Sequence, residues 1–156
     1  MTDQQKLQLM LDRAEIGEVI YRYAIGADRR DAVMFASVFT DELTVLIRGG
    51  SFGEGRKQTL PNGKFAHNVV TALSRFPVTQ HLFNVYKIDV EGDTAQTLVY
   101  MQARHFIAAS EGIHPPWDMG GYYTHHLLRT ASGWKVRDYT LNITWEQNVP
   151  ANPPSP

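Results

Sequence analysis

Tyr21-Arg22-Tyr23-Ala24-Ile25-Gly26-Ala27-Asp28-Arg29-Arg30-Asp31 is the stretch whose reading decides the fold. Apolar side chains at Ile16, Val19, Ile20, Tyr23, Ala24 and Ala27 recur at helical spacing and predict a helix over 12–27 with one buried stripe. Asp12 reads as its N-cap, with Glu15 three positions on. Asp28 closes the run, which puts a carboxylate at the end of an apolar helix face. A second, short helix is predicted to begin near Asp31 and to bury Phe35, Val38 and Phe39.

Beyond this point the pattern changes period. Alternation from Thr44 to Ile47 predicts a strand, and the segment Gly49-Gly50-Ser51-Phe52-Gly53-Glu54-Gly55 predicts a hairpin or a mobile rim. Phe65, Val69, Ala72, Leu73 and Phe76 share a helical face over 64–75, and Pro77 ends that helix because the residue before a proline avoids helical backbone. Four strands are predicted to follow, over 81–90, 94–107, 121–130 and 134–145, with turns at Glu91-Gly92-Asp93 and Ala131-Ser132-Gly133. Helices first and an antiparallel meander after define an α+β domain. A curved sheet wrapped round helices leaves a conical apolar pocket of the kind that binds small molecules. The expected domain is single and spans 1–149. Residues 150–156, with four prolines, are expected to form an extended or disordered tail.

Composition narrows the class. At 156 residues, 43% hydrophobic and 20% charged, the chain can bury one core without cross-links. A formal net charge of −1 argues against nucleic acid as a partner, since phosphate binding needs clustered cations. The absence of cysteine excludes thiol catalysis, disulfides and zinc–thiolate sites. No apolar run reaches the roughly 20 residues that span a bilayer. The polar start lacks a secretory signal, so a cytoplasmic location is expected.

Two residues are the candidates for the chemistry. His81 opens a strand after the helix-breaking Phe76-Pro77, and Asp28 ends the first helix. A carboxylate that holds an imidazole in one tautomer makes a base that works near neutral pH. Spacing alone leaves a second reading open, in which Asp28 pairs locally with Arg29 or Arg30 and His81 is a strand-end residue. Tyr23, five positions before Asp28, either points into the same cavity or belongs to the core stripe. Period-two counting puts Ala95, Thr97, Val99, Met101, Ala103 and His105 on one inner face. Tyr123, His125, Leu127 and Arg129 alternate with Tyr122, Thr124, His126 and Leu128. Trp134, Val136, Asp138, Thr140 and Asn142 share a face that the first two mark as buried, and this would aim Asn142 at a ligand. A β-bulge would invert these parities. Trp117 and Met119 are candidates for a lid. A metal on Asp28, His81, His105 and His125 is conceivable by residue type, but no HxH or HExxH spacing supports it.

The segment 21–31, Thr79-Gln80-His81, Glu91-Gly92-Asp93-Thr94-Ala95, Gly120-Gly121-Tyr122-Tyr123, Arg129 and Gly133-Trp134-Lys135-Val136 together resemble the SnoaL-like, scytalone dehydratase-like branch of the nuclear transport factor 2-like superfamily. The resemblance runs from about Asp12 to Trp145. It implies a cone-shaped sheet around the N-terminal helices and a deep pocket. Scytalone dehydratase, bile-acid 7α-dehydratase and hexachlorocyclohexane dehydrochlorinase in this superfamily use an Asp-His pair, and Asp28 and His81 stand at the matching positions. Tyr23 matches a pocket tyrosine of the bile-acid enzyme. Ala27 stands where scytalone dehydratase has a tyrosine, and Asn142 where the bile-acid enzyme has an arginine.

The resemblance therefore implies a lyase of dehydratase type, working without metal or organic cofactor on a hydrophobic cyclic small molecule. His81 and Asp28 would be the catalytic pair, and Tyr23, His105, His125, Asn142 and Arg129 the substrate-binding set. The same superfamily holds polyketide cyclases, ketosteroid isomerase and non-catalytic adaptors, which are the alternatives, because fold does not dictate function. It also implies a homo-oligomer, trimer or dimer, built through the sheet, and no membrane partner.

Overall fold

The computed structural model describes residues 1–108 and 114–153. Helix α1, Asp3–Arg29, is longer than the sequence pattern predicts. Thr2 caps it, accepting from the Gln5 amide while the Gln5 side chain reaches back. Asp12 is therefore not the N-cap. The polar turn before it continues the helix because the capping box at Thr2 supplies partners for its first amides. Helix α2, Ala32–Ala36, is capped by Asp31, whose side chain accepts from the Met34 amide. Gly26 lets the two helices touch, since a Cβ there would lie 2.9 Å from the Phe35 nitrogen.

Strand β1, Phe39–Arg48, leads through a 3₁₀ turn at Gly50–Phe52 to β2, Gln58–Pro61, then to α3, Asn62–Leu73. Phe39 thus begins a strand rather than ending a helix. The short β2 has no counterpart among the sequence-based expectations, because four residues give too little alternation to register. The long strands are β3, Val78–Glu91, β4, Thr94–Phe106, β5, Trp117–Thr130, and β6, Gly133–Gln147. The six form one mixed sheet in the order β2-β1-β6-β5-β4-β3. Among the described strands only β1 and β6 pair in parallel.

The sheet curves over the three helices without closing. Its concave face supplies Val99, Met101, Tyr123, Leu127, Trp134 and Tyr139, all buried. From α1 and α2 come Ile16, Ile20, Tyr23 and Phe35, also buried. Full burial of one such side chain stabilises the fold by about 1.5–3 kcal/mol. In β6 the register against β5 slips between Val136 and Asp138, leaving Arg137 as the extra residue. That bulge reverses the parity as far as Ile143, where a second slip at Thr144 restores it. Trp134 and Val136 face inward as expected, but Tyr139 and Leu141 replace Asp138 and Thr140 on the inner face.

Arg129 and Asp12 lock the end of the cone away from the helix C-terminus. Arg129 grips both Asp12 oxygens, at 2.7 and 2.9 Å, and its guanidinium lies 4.4 Å above the Trp134 ring. Its Nε also donates to Asp93 at the β3–β4 turn. The Arg129 hydrogen bonds hold the Asp12 carboxyl down at about 2 against the cost of burial. No helix among the described residues is long and apolar enough to cross a membrane.

Candidate active site

Asp28 sits in the last turn of α1, where a carboxylate meets the negative end of the helix dipole and needs donors. Three converge on it. Thr79 donates to Oδ1 at 2.9 Å, the His81 backbone amide to Oδ2 at 2.9 Å, and the His81 ring Nδ1 lies 2.6 Å from Oδ1. Arg30, at the left-handed cap that ends α1, donates to Thr79 Oγ1 and to the carbonyls of Leu73 and Phe76. It reaches Asp28 only through that hydroxyl and the Asp28 backbone carbonyl. So the side-chain partners of Asp28 are His81 and Thr79 rather than a neighbouring arginine.

Burial pushes the Asp28 pKa up, but the His81 ring, the His81 amide and the Thr79 hydroxyl outweigh it and hold the group below the usual carboxylate value. An ionised carboxylate only accepts, so Nδ1 carries the proton and Nε2 of the neutral ring keeps its lone pair. The His81 side chain is 8% exposed and borders a cavity of about 80 Å³.

That cavity is lined on its polar side by Tyr23, His81, His105, Tyr123 and Tyr139, and on its apolar side by residues such as Val69, Met101 and Leu141. The Tyr23 and Tyr139 hydroxyls are 2.7 Å apart, with the Tyr123 ring 5.6 and 5.2 Å from theirs. Burial raises all three tyrosine pKa values, so each keeps its proton at neutral pH. His105 crosses the His81 ring edge-to-face at 5.7 Å and stacks on Trp117 at 4.7 Å. Burial, then the nearby His81, lowers its pKa to about 4. Its Nδ1 lies 3.2 Å from the Trp117 carbonyl, which can only accept. The neutral His105 therefore donates through Nδ1 and leaves Nε2 as an acceptor.

Other expected site residues lie elsewhere. His125 is buried behind Tyr123, stacked on it at 5.5 Å and bonded to Thr97 Oγ1 at 2.8 Å, so it supports the cavity wall without lining it. Asn142 sits off the concave face because of the bulge at Arg137, and its Oδ1 accepts from Arg48 Nε at 2.6 Å. Arg129 belongs to the Asp12 clamp, outside the cavity. Trp117 and Met119 open strand β5 and are 1% and 5% exposed, which makes them wall and not lid. Trp117 Nε1 donates to Glu146, which also accepts from Ser51 and so ties the Gly-rich turn to the wall. No group of three His, Asp or Glu side chains among the described residues is placed to hold a metal ion.

Tyr139 and Tyr123 carry no site role in the sequence reading. The sequence reading left the face of Tyr123 open between two alternating sets, whereas Tyr139 stood on the outer parity until the bulge turned it. Thr79 appears in the signature around His81, but nothing in a sequence says that its hydroxyl reaches Asp28.

The pattern of the SnoaL-like domain family matches residues 8–140. A relative from Penicillium crustosum, terrestric acid biosynthesis cluster protein E, is 28% identical over 141 residues, 87% of this chain and 85% of its own. A solved nuclear transport factor 2-like protein with a cystatin-like fold, from Novosphingobium aromaticivorans, superposes with a TM-score of 0.73 at 21% identity, over 90% of this chain and 87% of that one. Hexachlorocyclohexane dehydrochlorinase LinA-type3 from Novosphingobium barchaimii superposes with a TM-score of 0.75 at 18% identity, over 97% of this chain and 99% of that one. The fold of the present chain is therefore the nuclear transport factor 2-like, cystatin-like one.

Proposed function

The chain belongs to the SnoaL-like domain family, and from that premise we propose that it is a cofactor-free lyase, of dehydratase type, acting on a hydrophobic cyclic small molecule. The observation that carries this reading is the 2.6 Å contact between Asp28 and His81 at the edge of a largely apolar cavity. His81 Nε2 removes a proton from a carbon next to the breaking bond. Asp28 holds the ring and stabilises the imidazolium that forms. The C–H electron pair becomes the new double bond and the C–O bond breaks. The departing oxygen takes up the proton that His81 now carries and leaves as water, which returns the ring to its starting form. A buried tyrosine hydroxyl of the Tyr23–Tyr123–Tyr139 group donates a hydrogen bond to the oxygen on which charge develops. His105 accepts from a substrate hydroxyl through Nε2.

The Penicillium crustosum relative is named for a biosynthesis cluster, which supports a small-molecule substrate over a protein partner. The test is turnover of cyclic hydroxyketones and polyphenols followed by product mass. Loss of the mass of water supports elimination. A product of unchanged mass would replace it with an isomerase or cyclase. Binding without any product would leave a non-catalytic module.

A further inference from the structure

The dyad cavity, at about 80 Å³, is too small for a typical ligand, since small-molecule sites usually span about 300–1,000 Å³. Next to it lies a cleft of about 420 Å³ that shares Ile47 and Phe52 with it as common walls. The cleft runs between β1, β2 and α3, and its floor is apolar, with Val45, Leu60 and Phe65. Its polar side chains are Arg56, Gln58 and Asn68, and among the described residues none of the three makes a side-chain hydrogen bond or ion pair within the protein. Arg56 follows Gly55, which has φ +67° and where a Cβ would collide with the Ile47 carbonyl oxygen. Glycine thus lets the chain press against β1 just before the arginine, which fixes where its side chain starts. An arginine keeps its charge at every working pH and matches a carboxylate with two parallel donors. The dyad cavity offers no cation of its own apart from what His81 acquires in turnover.

We propose that this cleft is the outer half of a two-part substrate site, and that it takes a carboxylate held by Arg56, with Gln58 and Asn68 as further hydrogen-bonding groups. This rests on reading the dyad cavity as the reaction site. The substrate class is then an apolar ring that enters past Phe52 toward His81 and carries an acidic group at its far end.

Biphenyl-4-carboxylate and its neutral carboxamide are suitable probes, titrated by calorimetry and by NMR of the histidine rings. The acid should bind at least tenfold more tightly than the amide, and Arg56→Gln should remove that preference while leaving amide binding and the melting temperature unchanged. Arg56→Lys should keep part of it. Binding of the acid should also shift the His81 ring resonances. Equal affinity for acid and amide, or an undiminished preference in Arg56→Gln, would overturn the proposal. So would acid binding that depends on Arg56 but leaves His81 unperturbed, because the two cavities would then be separate. Binding is read here without turnover, so an acid preference in a protein that shows no activity supports the cleft and counts against the lyase reading alone.

Discussion

His81 Nδ1 and Asp28 Oδ1 lie 2.6 Å apart across 53 residues of chain, joined where the C-terminus of α1 meets the start of β3. The proposed chemistry depends on this contact. His81→Ala and Asp28→Ala should each lower kcat by at least about 10²-fold, the scale of general-base catalysis, with the circular dichroism spectrum unchanged. Asp28→Asn keeps the shape but can present an amide N–H to Nδ1, which favours the wrong tautomer, and it should cost as much. Undiminished turnover in these variants would remove the pair from the mechanism.

The tyrosine hydroxyls test the site's second half. Tyr23→Phe and Tyr139→Phe each delete one end of a 2.7 Å hydrogen bond inside the cavity. If a hydroxyl there stabilises developing charge, kcat should fall about 10–10³-fold with little change in KM. A rise in KM alone would make the cluster a binding wall.

Asp12 and Arg129 make a stability prediction. Asp12 is buried and held by Arg129, Gln8 and Trp134. Asp12→Ala would leave the partly exposed guanidinium above Trp134 with Asp93 as its remaining carboxylate and should destabilise the fold by about 1–3 kcal/mol, measurable by urea denaturation. The native carboxyl titrates near 2, below its ordinary 3.8. Its contribution is therefore complete above about pH 4 and fades as pH falls toward 2. The acid limb of stability against pH should flatten in Asp12→Ala.

Buried neutral histidines act at milder pH. Burial lowers His105 to about 4 and His125 to about 3. Both take up protons more readily when unfolded, so their contribution is full above about pH 6.5 and declines as pH falls toward those values. Each should cost stability at about 1.4 kcal/mol per pH unit over that range. Melting temperatures between pH 7 and 4.5 would check this, and His125→Gln should reduce the slope. An unchanged slope would mean that His125 is not buried neutral in solution.

The convex face of the sheet carries an aromatic strip of exposed Tyr86 and Tyr100 and half-buried Tyr122, with Tyr86 5.3 Å from Tyr100 and Tyr100 6.0 Å from Tyr122. Leu82 and Trp145 are exposed as well. We propose that copies of the chain associate through this face. Sedimentation velocity should show a dimer or trimer, and Leu82→Glu with Tyr100→Glu should yield the monomer. A wild type that stays monomeric at 100-fold dilution and at millimolar concentration alike would refute this.

Helical periodicity around Tyr23, two-residue alternation through β4, and the turns at Gly92 and Gly133 are local signals, and a sequence states them directly. They were enough for the class of fold, the strand order of the meander and the inward direction of His105. The candidacy of Asp28 and His81 was legible too, because residue type and position at element ends limit which groups can work as a base. What tertiary structure alone decided were events between distant segments. One extra residue at Arg137 exchanged Asn142 for Tyr139 on the cavity wall, and the ion pair with Asp12 of α1 took Arg129 away from the site. Thr79 met Asp28, and Arg30 met Thr79, only once β3 lay against the end of α1. A hydrogen bond between remote residues depends on packing geometry to within an ångström, and no local pattern along the chain encodes a distance of that kind.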